Sequence, residues 1–304
     1  MELPQVQELM VSWRRMLKAQ SVFVVVSDRD VICCWKNSAG WVWRSALWPP
    51  DGCRGGLPLQ REPMGELLAD LLLDCDVEGA QIELLLPVGA CNWRVLDGVN
   101  LDRLAAANFS YLNVGVPDES LPSQADYHSY LSISDSVLEV STPRQTLQSW
   151  IDVIELADLP LRRVTWTLSS AFWATQSLVP LESAHVAWLV KHSESSSPRL
   201  ILLRDGIPEV DCQLHSETDL GSQVRQAVDA WTNLSHAVVS VSWVLTAPES
   251  DFHSLSKMLQ CNGDLFNLGV DSVWCPEPLV PDLEPVPLDP LAHLALMGAC
   301  QEAL

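Results

Sequence analysis

Hydrophobic positions along the chain follow two rhythms. Val6, Leu9, Met10, Trp13 and Leu17 recur at helical spacing with Arg14, Arg15 and Lys18 on other faces, which predicts an amphipathic opening helix. Three basic residues are too few to hold such a helix on a membrane surface, so it is expected to dock on the protein's own body. The rhythm then shortens: β-rich runs at 21–26, 31–35 and 40–48 are separated by Asp28-Arg29-Asp30 and Lys36-Asn37-Ser38, which are turn compositions. After a Pro- and Gly-rich loop at 49–56, Met64, Leu67, Leu68, Leu71 and Leu72 mark a helix, and 81–86 reads as a short buried strand. The order so far is βββαβ.

The pattern weakens from Cys91 to Tyr130, with a short helix expected at 101–108 and an acidic loop at 116–126, and the region at about 91–136 reads as an inserted subdomain. A strand at 137–140 follows. Thr142 is placed to cap the next helix, with Pro143 in its first turn and Leu147, Trp150, Ile151 and Ile154 on one face. A strand at 162–168 leads into a helix carrying Ala171, Ala174 and Leu178, and the first lobe is expected to span 1–180. The second lobe, 181–304, repeats the opening: strands at 185–191, 199–204 and 210–214, a helix with Leu220, Val224, Ala227, Val228 and Trp231, and a strand at 238–245. Phe252, Leu255 and Leu259 mark a further helix that stops near Gly263, and 270–275 reads as a last strand. Beyond a proline-rich stretch, an almost wholly apolar segment within 290–304 reads as a buried closing helix.

Composition narrows the function classes. With 48% hydrophobic residues in 304, a sizeable core is within reach. The balance of 39 acidic to 18 basic residues, a net charge of -21, repels phosphate backbones and anionic headgroups, so no nucleic acid partner is expected. That acidity reads either as solubility or as a complement to a basic partner segment. Among nine cysteines the adjacent Cys33 and Cys34 fit no zinc spacing, and reduced, buried cytoplasmic thiols are expected. No apolar run approaches the roughly 18 to 20 residues that span a bilayer, and Met1-Glu2-Leu3-Pro4 has no basic region ahead of an apolar stretch, so neither direct membrane insertion nor export is expected. The seven histidines are scattered, with His185 and His236 read as structural, and no G-x-S-x-G or P-loop string is present.

A duplicated βββαβ unit with an insertion in the first copy and a closing helix is the arrangement of the actin, hexokinase and heat-shock ATPase architecture, an α/β fold of ribonuclease H-like lobes. Within it the chain resembles the type IV pilus assembly protein PilM family and, more distantly, the cytoplasmic domain of the type II secretion protein GspL. The resemblance is carried by three stretches. Leu138-Glu139-Val140-Ser141-Thr142-Pro143-Arg144 precedes a helix ending Glu155-Leu156-Ala157-Asp158-Leu159, similar to the family's "A-G-L" turn with Asp158 in place of glycine. Arg163-Val164-Thr165-Trp166 runs into Ala171-Phe172-Trp173-Ala174, and Ala295-Leu296-Met297-Gly298-Ala299 resembles a closing "A-L-G-L-A" helix.

The resemblance implies where nucleotide chemistry would sit: two phosphate hairpins, each with an Asp for a metal-bound water and a Gly for close backbone approach, and a glycine-rich adenosine turn. The first hairpin reads Val26-Ser27-Asp28-Arg29-Asp30, acidic but without glycine, and ordinary turn chemistry explains Asp28 and Asp30 equally well. In the second, Lys191 stands at the position of the family's Asp and Ser193 at that of its Gly, and a lysine does not hold magnesium. In the adenosine turn Ala247 and Pro248 replace two glycines, and Pro248 has no backbone donor. The expectation is a pseudo-ATPase scaffold with vestigial nucleotide loops, no catalytic or metal-ligating residues and no obligatory cofactor, residual ATP binding being left open. The resemblance implies a place in the cytoplasm at the base of a type IV pilus machine, held at the inner membrane through partners. Those partners are the N-terminal cytoplasmic peptide of a PilN-like inner-membrane protein, docked beside the insertion, and other pilus platform proteins. An active actin-like ATPase or a small-molecule kinase with divergent phosphate loops is the alternative. Thirteen tryptophans include Trp41 and Trp43 on one face of a strand, read as core or as an aromatic face for a partner peptide.

Overall fold

The computed structural model describes residues 20–38, 40–75, 77, 80–97, 126–133, 136–178, 184–191, 197–215, 219–233, 241–259, 265–267, 277–278 and 288–302. The expected helices at the N-terminus and at 101–108, the acidic loop up to residue 125, the strand at 270–275, His236 and Ser193 lie outside the described residues.

β1 (Gln20–Val26), β2 (Asp30–Lys36) and β3 (Trp41–Leu47) form the antiparallel meander, with Val24 opposite Cys33 and Cys33 opposite Arg44. Five consecutive residues of β1, Val22 to Val26, are buried, because both faces of this strand are covered. The short pair β4 (Cys53–Arg54) and β5 (Leu57–Pro58) leads into α1 (Arg61–Asp74), and β6 (Ala80–Leu86) then returns parallel to β1. A 3-10 turn, Val88–Ala90, opens the insertion, a separate three-stranded antiparallel sheet of β7 (Asn92–Asp97), β8 (Asp126–Ile133) and β9 (Ser136–Pro143) in the order β7-β9-β8. α2 (Arg144–Leu156) and β10 (Leu161–Trp166) return the chain to the first sheet, parallel to β6, and α3 (Thr167–Leu178) follows directly.

The second lobe runs β11 (His185–Val190), β12 (Arg199–Arg204), β13 (Ile207–Gln213), α4 (Leu220–Asn233), β14 (Ser242–Thr246), α5 (Glu249–Leu259) and β15 (Leu265–Asn267). Its sheet order, β13-β12-β11-β14-β15, is the first sheet's β3-β2-β1-β6-β10 repeated, and in both the first strand pairs parallel with the strand after the helix. β16 (Glu277–Pro278) pairs with β3 at the outer edge of the first sheet. α6 (Pro290–Glu302) closes the described chain.

Strand alternation shows how the lobes are joined. Val186, Trp188 and Val190 of β11 and Ile201 and Leu203 of β12 belong to one continuous core with the first sheet, α3 and α6. Ala187, Leu189, Leu200 and Leu202 face a second core under α4 and α5. α6 is apolar nearly all round because Leu291 to Cys300 is buried throughout. It meets α3 at Gly298, where an added Cβ would lie 2.0 Å from the Ser170 carbonyl oxygen, so only glycine fits.

Four details depart from the sequence reading. The closing helix, grouped there with the second lobe, packs on α3 and β1 of the first, since an all-apolar helix needs cover on every side. The inserted sheet continues past 136 to Pro143, because β9 pairs with β7 and β8 along its length. Thr142 therefore stays in the sheet and donates to the Ala90 carbonyl at 2.8 Å, and Pro143 is the N-cap residue of α2, with no side-chain cap. Strands β4, β5, β7, β8, β15 and β16 were not foreseen. At the end of α2, Asp158 has φ 55, Asp158 N–H bonds Glu155 O at 3.0 Å and Leu159 N–H bonds Ile154 O at 3.3 Å. This is a Schellman turn whose left-handed position, filled by glycine in the resembled family, here accepts aspartate.

Candidate functional site

A cavity of about 890 Å³ lies between the lobes, where the β1–β2 hairpin, the 3-10 turn after β6, the N-termini of α3 and α6 and the near ends of β11 to β13 converge. Ser27, Asp28, Arg29 and Asp30 all line it, so the first predicted loop does face the cleft.

The hairpin's polar groups are occupied internally. Ser27 Oγ donates to Asp30 Oδ1 at 2.6 Å and accepts from the Asp30 and Arg29 N–H groups, and Trp48 Nε1 donates to the Ser27 carbonyl. Asp28 turns to the loop between β4 and β5: Gly55 N–H and Gly56 N–H donate to its two carboxylate oxygens, each at 2.7 Å. With φ of 60 and 80 these glycines aim successive N–H groups at one anion, and the anion is this chain's own carboxylate. Gly56 is pressed against Ala90, so its place tolerates no side chain, and its carbonyl accepts Trp150 Nε1 at 2.9 Å. Sequence reasoning located Asp28 but not its partners, 27 and 28 residues further on.

In the second lobe Lys191 Nζ lies 2.9 Å from Asp251 Oδ2 in the first turn of α5, so its ammonium neutralises an acid of its own lobe. Its N–H bonds the Thr246 carbonyl at 2.8 Å, which brings it beside the third loop. Ala247 is fully buried in the second core, and the Pro248 carbonyl receives the Asp251 and Phe252 N–H groups, so Pro248 starts a helix. Structure thus brings Ser27 and Asp28 to the cavity wall, whereas Lys191, Ala247 and Pro248, neighbours of one another in the second lobe, are not among the residues that line it.

Trp43 is buried, and half-buried Trp41 lies 5.9 Å from the Phe23 ring, so both contribute to the core of the first sheet. His185 packs against the Trp231 ring at 5.3 Å.

Several cleft groups were not foreseen. Asp289 Oδ1 caps α6 by accepting the Leu291 and Ala292 N–H groups. Cys91 lines the cavity, and burial pushes its thiol up to about 12, which keeps it protonated and unreactive at neutral pH. Across the cleft, Asp211 of β13 is bound by Arg199 of β12 and by the indole N–H of Trp93 in the insertion. The first-lobe signal for Glu139 was also missed: it is buried in β9 and paired with Arg94 and with His128 Nδ1 at 2.7 Å. The carboxylate holds the Arg94 guanidinium above its ordinary range. Among the described residues no cluster of His, Cys, Asp and Glu has metal-site geometry, and no helix is long and apolar enough to cross a membrane.

No family model and no curated protein matches the chain. Among solved structures, a PilM–PilN type IV pilus biogenesis complex superposes with a TM-score of 0.65 at 11% identity, covering 94% of this chain and 99% of that one. The cytoplasmic domain of EpsL, an inner-membrane component of the Vibrio cholerae type II secretion system, matches at 0.47 and 11% identity over 93% and 95% of the chains. A Bacteroides thetaiotaomicron protein with an actin-like ATPase fold matches at 0.45 and 9% identity over 80% and 88%. The duplicated sheet order and the first of these likenesses give this chain the actin-like fold.

Proposed function

We propose that this chain is a partner-binding scaffold of a type IV pilus or related machine, acting at the cytoplasmic face of the inner membrane through a PilN-like protein and, with it, other pilus platform proteins. The observation that carries the reading is the fit over nearly the full length of both chains to the PilM–PilN structure. The partner's N-terminal cytoplasmic peptide docks beside the inserted sheet, where Arg144 at the start of α2 stacks 4.4 Å from the exposed Tyr127 ring of β8. A net charge of -21 makes basic or apolar residues the complement expected in that peptide.

The scaffold is a pseudo-ATPase. Phosphoryl transfer depends on placed backbone donors and a metal rather than on one reactive side chain. Asp28 instead serves the loop of Gly55 and Gly56, and Lys191 serves Asp251.

Calorimetric titration of the protein with the N-terminal peptide of the PilN-like protein from the same host tests the role. Saturable one-to-one binding that weakens with added salt is expected. No binding at any ionic strength overturns the scaffold reading, and salt-independent binding overturns its electrostatic part.

A further inference from the structure

Beside the apolar core that the lobes share, two hydrogen bonds join one hairpin of the second lobe to the first. β12 and β13 belong to the second lobe, yet both ends of their hairpin are fastened to the first. At the tip, Gln176 of α3 donates to the Gly206 carbonyl at 2.8 Å, and Ile207 packs against the first core. At the base, Arg199 donates to Asp211 through both Nε and Nη2, and Asp211 also accepts the indole N–H of Trp93. The Arg199 guanidinium lies 5.8 Å from the Trp166 ring, whose edge-to-face neighbour is Trp93 at 5.4 Å. Trp93 in turn stands edge-on to Phe172 at 5.6 Å. Arg199, Asp211 and Asn92, the residue before Trp93, all line the cavity.

We propose that this hairpin is a strap that holds the cleft shut, with Asp211 as its clasp: one carboxylate ties the second lobe, through Arg199, to the inserted sheet, through Trp93. The geometry suits the task. A guanidinium and an indole are both fixed planar donors, and one acceptor satisfying both forces β12, β13 and β7 into a single arrangement. The side chains are 24% and 19% exposed for Arg199 and Asp211, so the pair sits at the cavity wall and is held by its geometry. Trp93 cannot move without unstacking Trp166 and Phe172, which couples the clasp to the core of the first lobe. The inference concerns the fold and is independent of which partner the insertion binds.

Cys91 reports on the strap. Its thiol is buried at the cavity wall, whereas Cys33 and Cys34 are buried within the first sheet. Alkylation by a maleimide, followed by peptide mapping, reads the opening of each site separately. In Asp211→Ala, labelling of Cys91 is expected to accelerate about tenfold or more while Cys33 and Cys34 keep their wild-type rates, because labelling tracks the population of the open form. Trp93→Phe removes the indole donor and keeps a smaller aromatic ring against Trp166 and Phe172, and the same selective change is expected at smaller amplitude. An unchanged Cys91 rate in both variants overturns the proposal. So does equal acceleration of all three thiols, which signals general destabilisation and no gate. Should Asp211→Ala fail to fold, Trp93→Phe alone decides between these outcomes.

Discussion

The two βββαβ copies share a strand order and differ at their cleft turns. In the first copy an acid remains at the hairpin, but Asp28 faces a pair of glycine N–H groups in its own lobe. In the second a base stands at the corresponding turn, and Lys191 faces Asp251. The first is an exposed carboxylate that accepts two backbone N–H bonds, one of them from buried Gly56, and the second is a single ion pair with both side chains about 30% exposed. The difference teaches that the turn after the first strand can do structural work of different kinds, organising a loop's backbone in one lobe and pairing with a helix's first turn in the other. The thiols differ between the lobes too: Cys33, Cys34, Cys91 and Cys300 all belong to the core of the first sheet and α6, while Cys212 of the second lobe is half-buried.

That contrast in thiols gives the largest expected effect. Burial raises Cys33, Cys34 and Cys300 far above the ordinary 9.0, and Cys91 to about 12. A raised folded-state pKa means that the stabilisation is intact below the unfolded value near 9.0 and is lost as pH climbs toward the folded value. Above about pH 9 each further pH unit costs ~1.4 kcal/mol for every thiol kept neutral, so several thiols together outweigh any single substitution. Urea midpoints are expected to fall steeply between pH 9 and 12, with the Cys33 region losing hydrogen-exchange protection no later than α4. Loss confined to the second lobe contradicts the comparison.

Next in size is the seam. Gly298→Ala drives a methyl into the Ser170 carbonyl and is expected to lower stability by about 3 kcal/mol, read by urea unfolding. Both lobes should still unfold in one transition, because the first core runs into one face of the second sheet. Two separated transitions in the wild type break that part of the account.

Asp28→Ala leaves two loop N–H groups without their acceptor, one of them on buried Gly56, and should cost about 2 kcal/mol, whereas Lys191→Ala breaks one partly exposed ion pair and should cost under ~1 kcal/mol. Paired denaturation curves decide the order. Equal losses would remove the asymmetry drawn between the two turns.

Much of the fold was legible because it rests on local signals. Continuous apolar runs bounded by turn residues announced β1, β2, β3, β6, β11 and β12, and helical spacing announced α1, α2 and α4. β15 and β16 escaped because three and two residues carry no periodicity, and their pairing is made by backbone partners far away in sequence. Thr142 misled because a cap residue and a strand residue look alike until the distant acceptor, the Ala90 carbonyl, is known. At the site, the family resemblance singled out Asp28, which lines the cavity, and Lys191, Ala247 and Pro248, which are not among its lining residues. What those side chains touch was not, since Gly55, Gly56 and Asp251 lie dozens of residues away. The Trp93–Asp211 clasp, separated by 118 positions, was beyond any local pattern.

The proposal that this actin-like fold works without nucleotide hydrolysis is tested most directly by phosphate release from ATP measured in the presence of magnesium. The purified chain, at a concentration comparable to that of the ATP, is expected to release no more phosphate than the same protein with Asp28→Ala, and its melting temperature is expected not to rise with magnesium-ATP. Stoichiometric phosphate release that Asp28→Ala abolishes, accompanied by a rise in melting temperature, would contradict it and return the protein to the working ATPases or kinases.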